Sequence, residues 1–211
     1  MANFSGFEIT DESGRRQVSD TFYDATLTSF LPINGRVRLD GDFYALQPTS
    51  SIDTIHPALE LDGEKGMVDG KGNVCFFDFA MTAQPTRFGI EVFDGSGKVT
   101  FSSNMIPLDV IDVIEHENVT DLRDSNGVYF RRKYASGVVP AVLPLRTPFW
   151  AIQGSHNYLA DLATIGYCVQ GSELIAKRGI ALAQGWFPIP FEFYRGYKAI
   201  VIDVKRYSNI A

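Results

Sequence analysis

Cysteine, histidine and long apolar runs are all scarce in this chain, and each scarcity removes a class of function. Among 211 residues there are 2 cysteines, Cys75 and Cys168, each in an apolar, strand-like context (Val74-Cys75-Phe76-Phe77 and Tyr167-Cys168-Val169). Buried free thiols are the expectation, not a disulfide framework or a thiolate metal site. The 3 histidines, His56, His116 and His156, are far apart and have no paired spacing to a Cys, an Asp or a second His of the kind zinc requires. Each is read as a rim or surface residue. No apolar run is long enough to cross a bilayer. The opening Met-Ala-Asn-Phe-Ser-Gly has neither a basic segment nor an apolar core, so no secretion signal is expected and the chain is read as made and folded in a cytosol. Positive charge is in deficit as well: 19 Lys and Arg against 25 Asp and Glu leave a net charge of −6, which opposes nucleic acid or an anionic membrane as the main partner.

Catalytic signatures are missing too. There is no Gly-x-Ser-x-Gly elbow, no phosphate-cradling Gly-x-x-x-x-Gly-Lys and no dinucleotide fingerprint. Asp62 to Asn73 is acidic and glycine-rich, yet it lacks the alternating ligands and closing Glu of a calcium loop. No cofactor, metal site or catalytic residue is therefore expected, and the chain is read as a non-enzyme.

What the chain does have is an apolar content of 45%, aromatics at 13%, and a repeat. The composition argues a globular fold, and the length suits one large all-β domain or two smaller ones. The segment Gly6-Phe7-Glu8-Ile9-Thr10-Asp11-Glu12-Ser13-Gly14-Arg15 returns as Gly89-Ile90-Glu91-Val92-Phe93-Asp94-Gly95-Ser96-Gly97-Lys98, an offset of 83 residues. Gly6/Gly89, Glu8/Glu91, Asp11/Asp94, Ser13/Ser96, Gly14/Gly97 and Ser19/Ser102 are identical, where unrelated windows of this length share roughly one position. Alternating Phe7 and Ile9, then Val18 beyond the turn, describe one apolar face of a two-stranded ribbon. Asp11 or Asp94 opens the turn by accepting backbone N–H bonds, and Gly14 or Gly97 supplies a positive φ. An aspartic-protease pair would need Asp-Thr/Ser-Gly, and both copies insert a residue between Asp and Ser. A duplicated scaffold unit explains the repeat better than a duplicated active site.

The rest reads as short strands broken by turns. Gly35 to Leu39 and Phe43 to Leu46 form an expected hairpin about Asp40-Gly41. Ser50 to Gly72 is read as loop with at most one strand near Leu59-Leu61, and Asp69-Gly70-Lys71-Gly72-Asn73 as a turn. Val74 to Phe79 is nearly continuously apolar, as expected of a strand covered on both faces. Further strands are expected in Pro107 to Ile114, after Asn126-Gly127, in Thr147 to Gln153, in Ile165 to Val169, in Glu173 to Ala176 and in Ala199 to Val204. Across Ser172 to Ala183 a short helix competes. The expected class is all-β, an antiparallel sandwich or barrel. We divide the chain at Gln84-Pro85 into an N-terminal β unit, 1–84, and a C-terminal β-sandwich unit, 85–211, each led by one copy of the hairpin; a single interleaved sandwich is the alternative.

Three clusters call for weighing. Asp109, Asp112, Glu115, Glu117, Asp121 and Asp124 could hold a divalent ion or make a paired-carboxylate hydrolase, but a solvated acidic edge is the commoner cause of such a run. Arg131-Arg132-Lys133 balances it, and a salt bridge to a neighbouring subunit's acidic edge is one use for it. In Trp186-Phe187-Pro188-Ile189-Pro190-Phe191-Glu192-Phe193-Tyr194 the prolines bar the middle of a sheet while the aromatics resist exposure. This segment either packs over an open end of the fold or docks on another subunit, and Trp186, Phe187, Phe191, Phe193 and Tyr194, with Trp150, are the candidate interface residues.

Phe88-Gly89-Ile90-Glu91-Val92-Phe93-Asp94-Gly95-Ser96-Gly97-Lys98-Val99-Thr100-Phe101-Ser102-Ser103 resembles an element of small virion proteins of tailed bacteriophages. There a Gly-aliphatic-x-aliphatic-aromatic-Asp/Asn-x-x-Gly hairpin ends in an aromatic followed by Asp/Ser-Ser, and an earlier copy lies near the start, as at Gly6 in this chain. Pro148-Phe149-Trp150-Ala151-Ile152-Gln153, followed by Tyr167-Cys168-Val169, resembles a further strand pair of that family. The resemblance covers about half the chain and departs from the pattern at Thr10 and Val18 of the first copy. It implies a structural protein of the tail, at the tail tip or where fibres attach, assembled in the host cytoplasm with copies of itself or with other tail proteins. The competing readings are a carbohydrate-binding β-sandwich for a host-surface glycan, with Trp150, Tyr158, Trp186 and Tyr194 as stacking platforms, and a hydrolase working through Asp109 and Asp112.

Overall fold

Glycine-punctuated, β-branched segments with no sustained helical period should pair as strands, and they do. The computed structural model describes residues 8–10, 16–19, 26–39, 43–58, 66–78, 90–97, 99–102, 108–119, 124, 127–156, 159–185 and 196–205. Among these are β1 (Glu8–Thr10), β2 (Arg16–Ser19), β3 (Thr26–Asn34), β4 (Val37–Arg38), β5 (Tyr44–Pro48), β6 (Ile55–Ala58), β7 (Met67–Asp78) and β8 (Glu91–Phe93). The series continues with β9 (Val99–Ser102), β10 (Val110–His116), β11 (Val128–Lys133), β12 (Pro140–Arg146), β13 (Trp150–His156), β14 (Leu159–Gln170), β15 (Glu173–Gly185) and β16 (Tyr197–Asp203). Every ladder whose register is described is antiparallel, and no α-helix occurs among the described residues. The expected all-β, antiparallel class is the one observed.

The chain forms two compact units, and both are discontinuous: Met1–Thr28 groups with Phe77–Leu108, and Ser29–Phe76 with Asp109–Ala211. The division expected at residue 84 would have separated the two copies of the repeat, whereas both copies fall in the first unit.

Within that unit the repeat holds down to its hydrogen-bond register. β1 pairs with β2 as Glu8↔Ser19, Ile9↔Val18 and Thr10↔Arg16, with an irregularity between Ile9 and Thr10. β8 pairs with β9 as Glu91↔Ser102, Val92↔Phe101 and Phe93↔Val99, with the irregularity between Val92 and Phe93. The second copy's turn works as its composition demands. The Asp94 Oδ1 accepts from the Ser96 N–H at 2.8 Å and from its hydroxyl at 2.6 Å, and Gly97 sits at φ +83°. The first copy's turn, Asp11 to Arg15, lies outside the described residues. β2 and β9, the equivalent strands of the two copies, approach one another.

The second unit is a curled sheet organised on β7. Its residues 72–76 pair with β5, from Tyr44↔Phe76 to Pro48↔Gly72, and its residues 67–70 pair with β6, from Ile55↔Gly70 to Ala58↔Met67. β5 and β6 thus lie end to end along β7, with 49–54 bulging between them. From β5 one arm runs through β12 and β16 to β10; from β6 the other runs through β14 and β15 to β11, with β13 on β14. The two arms are therefore parts of one continuous sheet. Inward side chains of both arms, including Leu46, Ile55, Val74, Ile114, Ile165, Leu174 and Val201, make one core, and the Tyr167 hydroxyl of β14 donates across it to the Tyr197 hydroxyl of β16 at 3.2 Å. Consecutive Val74 and Cys75 are both fully buried, which bears out the strand covered on both faces.

Three expectations fail. Asp69 to Asn73 is not a turn but the middle of β7. Its glycines are there for proximity, since a Cβ on Gly70 would lie 1.9 Å from the Thr54 carbonyl oxygen and one on Gly72 2.5 Å from that of Gln47. Likewise Ser50 to Gly72 is not mainly loop, for it contains β6 and the start of β7. Across Ser172 to Ala183 strand wins over helix, because pairing with β14 from Gln170↔Glu173 onward overrides the local ambiguity. The hairpin expected of 35–39 with 43–46 does not form either, because β4 pairs with β7 at Val37↔Val68 and the two partners of β5 are β7 and β12; the Asp40-Gly41 turn itself and Leu59-Leu61 lie outside the described residues.

Candidate functional site

The acidic run is the first place to look for chemistry, and the fold ties up Asp112, Glu115 and Asp124 as structural links. On β10, alternation sends Asp112, Ile114 and His116 inward and Glu115 outward. Asp112 Oδ2 accepts from the Tyr134 hydroxyl at 3.1 Å and lies 3.6 Å from Arg132 Nε. The Glu115 carboxylate bonds Lys198 at 2.9 Å, and this hydrogen bond, followed by the lysine's charge, lowers its pKa. Asp124 Oδ1 caps the turn into β11 by accepting the Val128 N–H at 2.9 Å. Asp121 lies outside the described residues. No three His, Cys, Asp or Glu side chains gather in a metal-binding group among the described residues.

The basic run behaves in the same way. Arg131 pairs with Glu173 at 3.3 Å, while Arg132, itself exposed, reaches to Asp112. The second contact matters for architecture, because β10 and β11 are the two ends of the described sheet path. Asp112, Arg132 and Tyr134 lace those ends together, and the His116 ring lies 5.7 Å from that of Phe130, which in turn lies 5.5 Å from Tyr197. Burial, then the charge of Arg132, lowers the His116 pKa, and its Nε2 is buried with no hydrogen-bond partner. Neither end strand has a second ladder partner among the described residues. Side by side they form a rim with one acidic and one basic edge. Two exposed valines lie there, Val110 and Val113 on β10 at 50% and 55%, and Arg131, Arg132 and Lys133 are all exposed.

Of the candidate interface residues, Trp150 begins β13, is half-buried against the core and meets Tyr129 edge-on at 5.5 Å. Trp186, Phe187, Phe191, Phe193 and Tyr194 lie outside the described residues, as does Tyr158.

A second feature escapes sequence reasoning. An open cleft of about 560 Å³ is lined by Asn34, Gly35, Ile52, Asp53, Thr54, His56, Gly70 and Lys71. The β6–β7 register sets His56 opposite Asp69. His56 Nδ1 is 3.1 Å from the Pro57 carbonyl, which can only accept, so Nδ1 carries the proton and Nε2 the lone pair. Burial lowers the His56 pKa, partly offset by that bond and by Asp69. Asp69 bonds Arg36 Nε at 3.2 Å, and Arg36 Nη2 donates to the Ala181 carbonyl at 3.1 Å. Two glycines make room: a Cβ on Gly179 would sit 2.6 Å from the His56 ring and one on Gly166 3.0 Å from Thr54 Cβ. The only signal of the cleft in the sequence is the glycine spacing. The lining can accept and donate hydrogen bonds, but it offers neither a nucleophile activated by His56 nor an aromatic platform.

No family model, curated protein or solved structure matches this chain. Function therefore rests on the chain's own geometry, in which several charged groups, among them Asp112, Glu115, Arg131 and Arg132, are paired as structural links.

Proposed function

We propose that this chain is a non-enzymatic structural component of a bacteriophage tail, at the tail tip or the fibre-attachment region, acting through assembly with copies of itself or with other tail proteins. The observation that carries this reading is the duplicated hairpin, in which sequence, pairing register and position of the irregularity all recur. The duplicated aspartate at Asp94 is consumed by its own turn, as expected of architecture rather than of a catalytic pair. Support also comes from the rim, since terminal strands with one ladder each among the described residues, and exposed valines, are surfaces that a neighbour can extend or cover. The cleft, with no aromatic among its lining residues besides His56, does not favour the glycan-binding alternative.

The test is quantitative mass spectrometry of purified particles of the phage whose genome encodes this chain. The expected outcome is a fixed copy number relative to other tail proteins that survives a high-salt wash. A chain found only in the lysate and never in particles overturns the reading.

A further inference from the structure

We propose that the open cleft beside the 49–54 bulge binds a free α-amino acid with an apolar side chain, its carboxylate meeting Lys71 and Asn34 and its ammonium meeting Asp53 and Nε2 of His56. The site is independent of the tail reading and holds whether or not the chain enters a particle.

The cleft is walled by backbone that is already satisfied. The Ser50 hydroxyl oxygen accepts the N–H groups of Ile52 and Asp53 at 3.1 and 3.0 Å. The Lys71 N–H donates to the Thr54 carbonyl at 3.0 Å, and the Gly35 N–H to the Gly70 carbonyl at 2.8 Å. Four lining side chains, in contrast, keep polar atoms that nothing among the described residues takes up. The Asn34 amide makes no hydrogen bond there. Asp53 uses Oδ2 to accept from the Ser50 hydroxyl at 3.2 Å and keeps Oδ1. Lys71 Nζ stands 3.7 Å from Asp53 Oδ2, too far for a hydrogen bond. His56 lines the cleft although it is only 7% exposed. Its Cγ–Cδ2 bond lies over Gly179 and its Nδ1 is turned to the Pro57 carbonyl, so the Cε1–Nε2 edge is the part of the ring left for a ligand.

Charge then selects the ligand. The lining carries one cation and one anion, Lys71 and Asp53. A ligand of one sign only meets repulsion from one of them, whereas a ligand with both signs is attracted by both. Because the two groups stand 3.7 Å apart, the ligand's charges must also lie close together, as they do on the single carbon that bears the ammonium and carboxylate of an α-amino acid. Set antiparallel to the Asp53–Lys71 pair, each ligand charge lies on its opposite. Burial favours the neutral ring of His56, so Nε2 accepts from the ammonium, and the Asn34 amide donates to the carboxylate. Ile52, 81% exposed, is the apolar surface in the lining that a ligand side chain can cover.

Openness sets the strength. About 560 Å³ leaves room for one such molecule and its water. Lys71 and Asp53 are both exposed, so each contact works against solvent screening. Millimolar affinity follows for so small a ligand.

A proton–nitrogen correlation NMR titration of the full chain with L-leucine tests this. Two further probes each lack one charge: isocaproate has no ammonium, and isoamylamine has no carboxylate. Leucine should move the amide signals of Asp53, Thr54 and Lys71 together with the His56 Nε2 signal, saturating at millimolar concentration. Each one-charge probe should bind about threefold more weakly or worse, the scale of one exposed ion pair. Lys71→Gln should weaken leucine by a similar factor and leave isoamylamine no weaker, while Asp53→Asn should weaken leucine and leave isocaproate no weaker. Unchanged circular dichroism would confirm that both variants fold. Shifts that never saturate, a His56 Nε2 signal that stays in place, a one-charge probe that binds as tightly as leucine, or variants that bind leucine like wild type would each overturn the proposal.

Discussion

Gly35 and Gly70 have nearly the same backbone, φ +111° and +112°, in opposite surroundings: an added Cβ at Gly35 meets nothing within 4 Å, and one at Gly70 meets the Thr54 carbonyl oxygen at 1.9 Å. Gly35→Ala should therefore cost backbone strain alone, about 1–3 kcal/mol. Gly70→Ala must add to that strain the displacement of the bulge at 49–54 and loss of the 3.0 Å bond from the Lys71 N–H to the Thr54 carbonyl. We expect urea unfolding to place it at least about 2 kcal/mol below Gly35→Ala, the scale of a buried group left unsatisfied; equal losses would mean the bulge is not held there. The Tyr167–Tyr197 pair argues along similar lines. Removing either hydroxyl strands the other in the core, at about 1–3 kcal/mol, whereas removing both leaves nothing unsatisfied. In a double-mutant cycle, Tyr167→Phe/Tyr197→Phe should be less destabilised than the sum of the single variants by about 1 kcal/mol or more, and simple additivity would refute the coupling. Cys75, fully buried with its pKa pushed up to about 12, and Cys168, also fully buried, should resist alkylation in the native protein and react on unfolding. Labelling of either thiol at the native rate of an exposed cysteine would contradict that burial.

At the scale of elements, the two ends of the sheet are joined by side chains, and this makes the join sensitive to single changes and to pH. Asp112→Ala leaves the Tyr134 hydroxyl and Arg132 without their acceptor, and should cost about 1–2 kcal/mol with hydrogen exchange accelerated in β10 and β11 before other strands. Exchange that rises uniformly would instead mean the ends do not open as a unit. His116 and His56 both have pKa values lowered by burial, so folding favours their neutral forms. Their contribution is complete above the unfolded-state value of about 6.5 and is lost as pH falls below it through the folded values. For His116 the added charge appears beside Arg132. Unfolding free energy should thus decline as pH falls from about 6.5, and His116→Gln should flatten part of that slope; an unchanged slope would remove His116 from the account. Elements of this kind are legible in sequence wherever the signal is local. The hairpin repeat, the strand in Ala199 to Val204 and the strand that follows Gly127 each carry their pattern within a few residues. Asp69 to Asn73 misleads because its glycines serve a tertiary need, room for a bulge arriving from β5, which looks in sequence like turn chemistry. The cleft is invisible for the same reason: His56 meets Asp69 through the β6–β7 register, and sits over Gly179 of a strand distant in sequence. Trp150 stays half-buried, and its edge-on contact with Tyr129 cannot be read from composition.

At the scale of the molecule, the same continuity that hides from sequence decides what can fold alone. A fragment 85–211 would hold the strands of both arms from β10 to β16, yet it would lack β5, β6 and β7, through which the arms are one sheet. β12 would lose its partner at Val142↔Leu46, and β14 its partner at Tyr167↔Ile55. Their central edges would be bared. Leu46, Ile55, Val68 and Val74 would be missing from the shared core. At about 1.5–3 kcal/mol for each buried aliphatic side chain, these four alone represent roughly 6–12 kcal/mol, as much as the whole stability of an ordinary domain, about 5–15 kcal/mol. We therefore expect 85–211, expressed by itself, to lack a cooperative unfolding transition and to show the collapsed amide dispersion of a disordered chain. Residues 1–84 should fare no better, because β7 would have no arms to join. Mixing the two should restore structure, since every ladder between them is intermolecular only in name. Were 85–211 to melt cooperatively alone with dispersed amide signals, the arms would be independent layers, and β7 would be an addition to them rather than the strand that makes them one sheet.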